Sequence, residues 1–260
     1  MRDQLESCSR WLVDNKFSLH VDKCESIIFG SCRKITEREG FQVKCYGKVV
    51  PRVTCVKYLG ALLDENLTGD DQASEVIKKV SSRLAFLYRK SGFLDKRSRG
   101  TLCLALVQPL FDYCCSSWYS GVSAKFKNRL EGLQRKMIRF VLGLEFRSEV
   151  NHSHLAKLGW LSVPDRVRYF KLIHVFKIHK GLAPKYVAES FKNFSFYHSY
   201  STRGSQTNYL ISKEDTTGSM LSSFTYTAKH EWNNLPFHLK NISKLNVFKK
   251  KLRSYISCSY

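Results

Sequence analysis

The sequence predicts an α+β chain that is mostly helical, and three observations predict it. Apolar and polar residues alternate in short runs confined to the first sixty residues, the period of strands. From Asp70 onward apolar residues recur every three to four positions over long windows, the period of helices. With 43% hydrophobic and 25% charged residues in 260, the chain has the balance of folded proteins and the length for about two units.

Residues 2–15 read as a helix with Leu5, Cys8 and Leu12 on one face and Trp11 beside them. Phe17, Leu19 and Val21 alternate with Ser18, His20 and Asp22 as a strand, and Ile27–Ile28–Phe29 makes a second, apolar strand. Residues 30–40 are polar and read as a turn region. Two more short strands, 41–45 and 48–54, meet at Tyr46–Gly47.

Ala73, Val76, Ile77, Val80, Leu84, Leu87 and Tyr88 mark a helix, with Gly92 as its stop. Residues 97–119 are apolar nearly all round, which predicts a central buried helix kinked before Pro109. Phe126, Leu130, Leu133, Met137, Ile138 and Val141 form a clean stripe, with Lys125, Lys127, Arg129, Arg135, Lys136 and Arg139 on the other faces. Ser162, with Asp165 three residues on and Pro164 in the first turn, caps a helix carrying Val167, Phe170, Ile173 and Phe176, which Gly181 ends. Residues 190–223 read as loops and short strands, and helical pattern resumes at 228–232. Ser243 opens a last helix, with Leu245, Phe248, Leu252, Tyr255 and Ile256 inward and Lys249, Lys250, Lys251 and Arg253 outward.

The net charge of +21 is the strongest functional signal. Lys and Arg outnumber Asp and Glu by 22 to 14 in residues 1–130 and by 21 to 8 in residues 131–260, so the excess is not a tail. A folded, broadly cationic surface fits nucleic acid, because each neutralised phosphate releases counterions. The other readings are a merely soluble basic protein or an acidic partner, and nothing in the sequence suggests such a partner. The nine cysteines are scattered, odd in number and never spaced C-x-x-C. A disulfide framework and a structural zinc are therefore not expected, and an intracellular location, nuclear or cytoplasmic, is. No apolar run spans a bilayer, so no membrane partner is expected.

Several stretches together resemble one family. Trp11, Asn15, Phe17, Leu19, Lys23, Glu25, Ile27 and Phe29 form one run, with His20 and Cys24 departing from the family's usual Asn and Thr. Lys57–Tyr58–Leu59–Gly60 precedes Leu63–Asp64, and Leu130, Leu133, Gln134, Arg135, Ile138 and Arg139 follow downstream. The last third adds Gly159–Trp160–Leu161 with Val163 and Arg166, Gly181–Leu182–Ala183–Pro184 with Tyr186, Thr202–Arg203, and Trp232–Asn233–Asn234–Leu235–Pro236. In this order they resemble the end of the reverse transcriptase of non-LTR (LINE-type, jockey-like) retrotransposons.

The resemblance implies that residues 1–66 are the end of a palm sheet, residues 67–145 a helical thumb, and residues 146–260 a helical C-terminal region. It also implies a truncated polymerase, since the family's metal-binding Asp pair would lie upstream of residue 1. No catalytic, metal or cofactor residue is then expected here, with Mg²⁺ belonging only to a complete polymerase. Asp70–Asp71 precedes a helix, where carboxylates cap the first turn. Lys23 falls where such polymerases carry a lysine able to protonate pyrophosphate, although an exposed turn lysine looks the same. Tyr58, Leu59 and Gly60 fall at the primer-grip turn, or make a tight strand-to-helix connection.

Arg83, Arg89, Lys90, Arg97, Arg99, Arg135 and Arg139 are the candidate phosphate contacts to RNA, DNA or a template–primer duplex. A solvated helix face would look similar. Lys249–Lys250–Lys251 reads as an outer helix face or a nuclear address, and Trp160, Tyr169, Trp232 and Phe248 as core rather than stacking platforms. The expected function is thus template–primer binding without DNA synthesis. The alternatives are a domesticated binding or interaction module and one piece of an active polymerase encoded elsewhere.

Overall fold

The structure is a computed structural model and describes residues 2–38, 40–191, 210 and 221–258. The fold is α+β and mostly helical, with two two-stranded antiparallel sheets among the described residues. The chain divides into two compact units, Met1–Asp71 and Gln72–Tyr260. Thr202–Arg203 and most of the 190–223 stretch lie outside the described residues.

In the first unit, α1 (Arg2–Asp14) forms as predicted, but its apolar face is shallow: Trp11 is 59% exposed and stacks on Phe17 at 6.4 Å. The strand expected at Phe17–Val21 is absent, and the chain instead makes a 3₁₀ turn over Val21–Lys23. Ile27–Phe29 makes no strand either, its neighbour Ser26 forming a single bridge to Arg52. Alternation alone builds no strand without a partner to complete the ladder, and among the described residues no strand pairs with either segment. A short helix, α2 (Cys32–Thr36), interrupts the region read as a polar turn and buries Ile35.

Two hairpins follow. β1 (Val43–Cys45) pairs β2 (Lys48–Val50) with Cys45 opposite Lys48. β3 (Cys55–Tyr58) pairs β4 (Ala61–Asp64) with Tyr58 opposite Ala61. Both loops are two residues long with positive φ throughout, Tyr46 at 49° and Gly47 at 75°, Leu59 at 46° and Gly60 at 88°. That is the type I′ geometry matching the twist of paired strands. The connection after Tyr58 thus runs from strand to strand, not strand to helix. Asp64 is 9% exposed, and its carboxylate accepts from the Thr68 and Gly69 amides at 2.9 and 2.8 Å. Asp70 and Asp71 then occupy the first turn of α3 (Asp70–Arg89), where the helix dipole favours them.

In the second unit α3 buries Ala73, Val76, Ile77, Val80, Leu84 and Leu87. It stops three residues before Gly92, which lies in a 3₁₀ turn over Ser91–Phe93. Asp95 caps α4 (Lys96–Leu102) by accepting from the Ser98 amide at 2.9 Å. The predicted long helix over 97–119 is broken into pieces. A π-helical turn at Cys103–Val107 absorbs the bulk and missing N–H of Pro109 before α5 (Gln108–Asp112). Cys114, at φ 50°, ends it ahead of α6 (Cys115–Trp118). Leu104 is 47% exposed, so this segment is not the buried centre.

That role belongs to α9 (Val163–His179), which buries Val163, Val167, Lys171, Leu172, Ile173, Val175, Phe176 and Ile178 on nearly all sides. Ser162 accepts from the Asp165 amide at its start, and Gly181, at φ 67°, follows its end. α7 (Ala124–Leu142) buries the predicted stripe except Phe126, which is half-buried, and adds Phe140. α8 (His152–Leu158) ends at Gly159, whose φ is 64°. α10 (Lys185–Ala188), α11 (Phe224–Asn233), α12 (Phe237–Lys240) and α13 (Leu245–Ser257) complete the described helices. Lys244, not Ser243, precedes α13, one residue later than predicted.

Two apolar cores share this unit. The first collects α3, the π turn, α5, α6, α7 and the start of α9. The second collects the rest of α9 with Trp232, Leu239, Phe248, Leu252 and Ile256. Polar side chains fasten the segments between them. Gln134 donates to the Leu161 carbonyl at 2.8 Å and accepts from the Val163 amide at 3.0 Å, tying α7 to α9. Arg166 grips both carboxylate oxygens of Asp112, with Nη2 at 2.6 Å from Oδ2. The Asn233 amide brackets the backbone of buried Leu210, with both bonds at 2.9 Å. Arg253 donates to the Gly159 carbonyl at 2.6 Å.

Candidate nucleic-acid interface

In the first unit, the 3₁₀ turn leaves Lys23 exposed, with its backbone N–H donating to the His20 carbonyl at 3.0 Å. The β3–β4 hairpin carries Tyr58, Leu59 and Gly60 at its tip, where Tyr58 is 63% and Leu59 76% exposed. Leu59 holds a left-handed backbone that a leucine adopts at a cost of about 1 kcal/mol. An exposed apolar residue in a strained turn is a presented tip, not a packed one. The first unit thus offers an exposed point of contact at this hairpin tip.

In the second unit the candidate cations separate into two sets. Arg83, Arg89, Lys90 and Arg97 are exposed, and among the described residues none has an ion-pair partner. Lys79, Arg83 and Phe86 follow one another at intervals of four and three residues, so they line one outward stripe of α3, and Lys90 stands directly after its last residue. Lys79 pairs with Glu75 at 3.2 Å, and Phe86 is 49% exposed on the stripe. Phe93, in the turn that follows, is 88% exposed. An apolar ring among unpaired cations can meet a base or sugar while its neighbours meet phosphates.

In the second set, Arg99 and Arg139 are turned toward the protein. Arg99 donates to the carbonyls of Leu94, Ser91 and Phe140 at 3.0, 2.9 and 3.3 Å, and its guanidinium lies 5.5 Å from the Phe140 ring centre. Arg139 donates through Nε to the Ser148 carbonyl at 2.9 Å. Arg135 is exposed and stands 4.0 Å from Glu131 one turn away, a weak surface pair. Tyr88, beside the stripe, donates to the Lys136 carbonyl at 2.8 Å, and burial raises its phenol pKa. This bond holds α3 against α7 and keeps the outward faces of both helices fixed.

Sequence reasoning missed Phe86, Phe93 and Lys79. Their signal is an apolar residue recurring at helical spacing inside a basic face instead of in the buried stripe. Among the described residues no group of three or more His, Cys, Asp or Glu side chains could hold a metal ion. Asp70 and Asp71 sit in the first turn of α3 and belong to no such group. Nor is any described helix long and apolar enough to cross a membrane. The arrangement can neutralise phosphates and present aromatic edges.

No protein-family model matches the chain, and no solved structure does. Over 100 residues the chain is 26% identical to the "Probable RNA-directed DNA polymerase from transposon X-element" of Drosophila melanogaster. The alignment spans 37% of this chain and 11% of that protein. Distant, partial similarity to a transposon RNA-directed DNA polymerase therefore stands beside a cationic helical surface.

Proposed function

We propose that this chain is a fragment of a non-LTR retrotransposon reverse transcriptase that holds a template–primer duplex by its phosphates and does not itself join nucleotides. The observation that carries the reading is the outward face of α3, where Arg83 and Arg89 stand exposed and unpaired near Phe86, with Lys90 directly after the helix and Arg97 just beyond. Such groups cost nothing to desolvate from an existing partner, so each can displace a condensed counterion. The similarity to a transposon polymerase supplies the class of ligand. The two-metal carboxylates belong, on this reading, to polymerase chain outside these residues, and the Tyr58–Gly60 hairpin tip is the part that meets the primer strand.

The test is duplex binding as a function of salt. The natural chain should bind an RNA–DNA primer–template with an affinity that falls steeply as salt rises, with primer extension in Mg²⁺ at background. R83Q/K90Q should flatten the log–log salt slope by about two, since each phosphate contact contributes roughly one. Binding that ignores salt, a slope untouched by the double substitution, or robust nucleotide incorporation would each sink the reading.

A further inference from the structure

In the second unit a cleft of about 410 Å³ opens where the Tyr119–Gly121 turn, α7, α9 and α11 meet. Lys127, Arg168 and Lys171 line it against one carboxylate, Glu231. Arg168 Nε stands 2.8 Å from Glu231 Oε2, and that pair cancels. Neither lysine makes an ion pair of this kind among the described residues. Lys171 is only 6% exposed, and its ammonium donates to Ser120 Oγ at 2.6 Å. The Lys127 ammonium donates to the Ser120 carbonyl at 3.2 Å and lies 5.5 Å from the Tyr119 ring centre. Both cations thus converge on one residue, and among the described residues neither has a carboxylate at ion-pair distance.

Two converging ammonium groups, one almost wholly removed from water, repel each other and are poorly solvated. Burial holds the Lys171 pKa below the ordinary lysine value, opposed by Glu231 and Cys115 and assisted by Lys127. A multivalent anion in the cleft removes this penalty, because it pairs with both cations at once in a partly dry setting where salt screens little. A neutral or cationic ligand would not. The excess of two positive charges on the wall matches a phosphate dianion.

We propose that this cleft is a phosphate site, in which the Lys127 and Lys171 ammonium groups clamp one phosphate group above Ser120. It involves none of the α3 residues and does not rest on the duplex-binding reading. Glu231 is its built-in competitor, holding Arg168 away from the anion.

The full chain is titrated calorimetrically with inorganic phosphate at constant ionic strength, balanced with sodium chloride. Saturable one-to-one binding is expected, weakened roughly tenfold by K127Q and by K171Q. E231Q, which frees Arg168, should tighten binding severalfold, a gain that a merely structural role cannot produce. Should K171Q fail to fold, the partly exposed Lys127 and the Glu231 variant still decide the matter. R83Q/K90Q should leave phosphate affinity unchanged, which separates this site from the α3 surface. Displacement of phosphate by a 5′-phosphorylated oligonucleotide alone would assign a strand end, displacement also by the 5′-hydroxyl form a backbone phosphate, and by neither the free ion. Absence of saturable phosphate binding, or equal affinity in the natural chain, K127Q and E231Q, overturns the proposal.

Discussion

Arg99 is the residue whose role the structure changes most, and its removal makes a sharp test. Three carbonyls from three segments converge on its guanidinium: Ser91 in the turn after α3, Leu94 before α4, and Phe140 near the end of α7. A net contribution of about 1 kcal/mol per hydrogen bond gives about 3 kcal/mol lost in R99A. Loss of the contact with the Phe140 ring adds up to about 1 kcal/mol. In a unit of this size 3 kcal/mol lowers the melting temperature by roughly 6 to 12 °C. R99K should recover little, because one ammonium on a flexible stem cannot serve three fixed directions. R97A, two residues away on the exposed surface, should change stability by less than about 0.5 kcal/mol. Urea unfolding followed by circular dichroism, beside duplex binding, separates the two. If R99A unfolds with the natural chain's midpoint and loses duplex affinity as R97A does, the division into inward and outward cations is wrong.

Three shorter tests bear on other parts of the molecule. Q134L strands the buried Leu161 carbonyl and Val163 amide, so it should cost roughly 2 to 4 kcal/mol despite the similar size of the side chain; an unchanged urea midpoint would refute the clamp. L59N relieves a leucine held at φ 46° and should raise the stability of the first unit by about 0.5 to 1 kcal/mol, whereas a loss would mean that Leu59 is packed. His179 stacks on Trp232 at 4.8 Å with Nε2 buried and unpartnered, and burial, then Lys180 and Lys240, push its pKa down from 6.5 to about 4. Folding favours the neutral ring, so its contribution is complete above pH 6.5 and lost as pH falls toward 4. H179F should therefore lose less melting temperature between pH 7 and 5 than the natural chain, and equal losses would contradict it.

What the sequence showed plainly was local. The α7 stripe, the Ser162–Asp165 start of α9 and the Gly181 stop need only their neighbours in the chain to be read. The first unit resisted because strands depend on partners distant in sequence, and Phe17–Val21 pairs with no strand among the described residues. The Leu59–Gly60 turn resisted because leucine is a rare occupant of positive φ, so only Gly60 signalled it. The centre of the second unit was misassigned for a physical reason. α9 is buried on nearly every side, and a helix without a polar face loses the contrast that periodicity measures, while Lys171 within it mimics exposure. At the candidate site, Arg83, Arg89, Lys90 and Arg97 were legible as outward cations. Arg99 and Arg139 were not distinguishable from them, since a guanidinium facing carbonyls is spelled like one facing water. Gln134, Arg166 and Asn233 sit in the stretches that carried the family resemblance, and all three fasten backbone or neighbouring side chains.

The shared position of α9 has a consequence for how the second unit comes apart. Val163 and Val167 close one core, and Leu172, Phe176 and Ile178 close the other, along a single 17-residue helix. Neither core can open without fraying a wall of its neighbour, so the two should lose amide-exchange protection together, as one cooperative block. Damage to Trp232 or Phe248 should then be felt at Met137, and a chain stopped after residue 145 should expose Leu133 and Phe140 to proteases, not yield a freestanding domain.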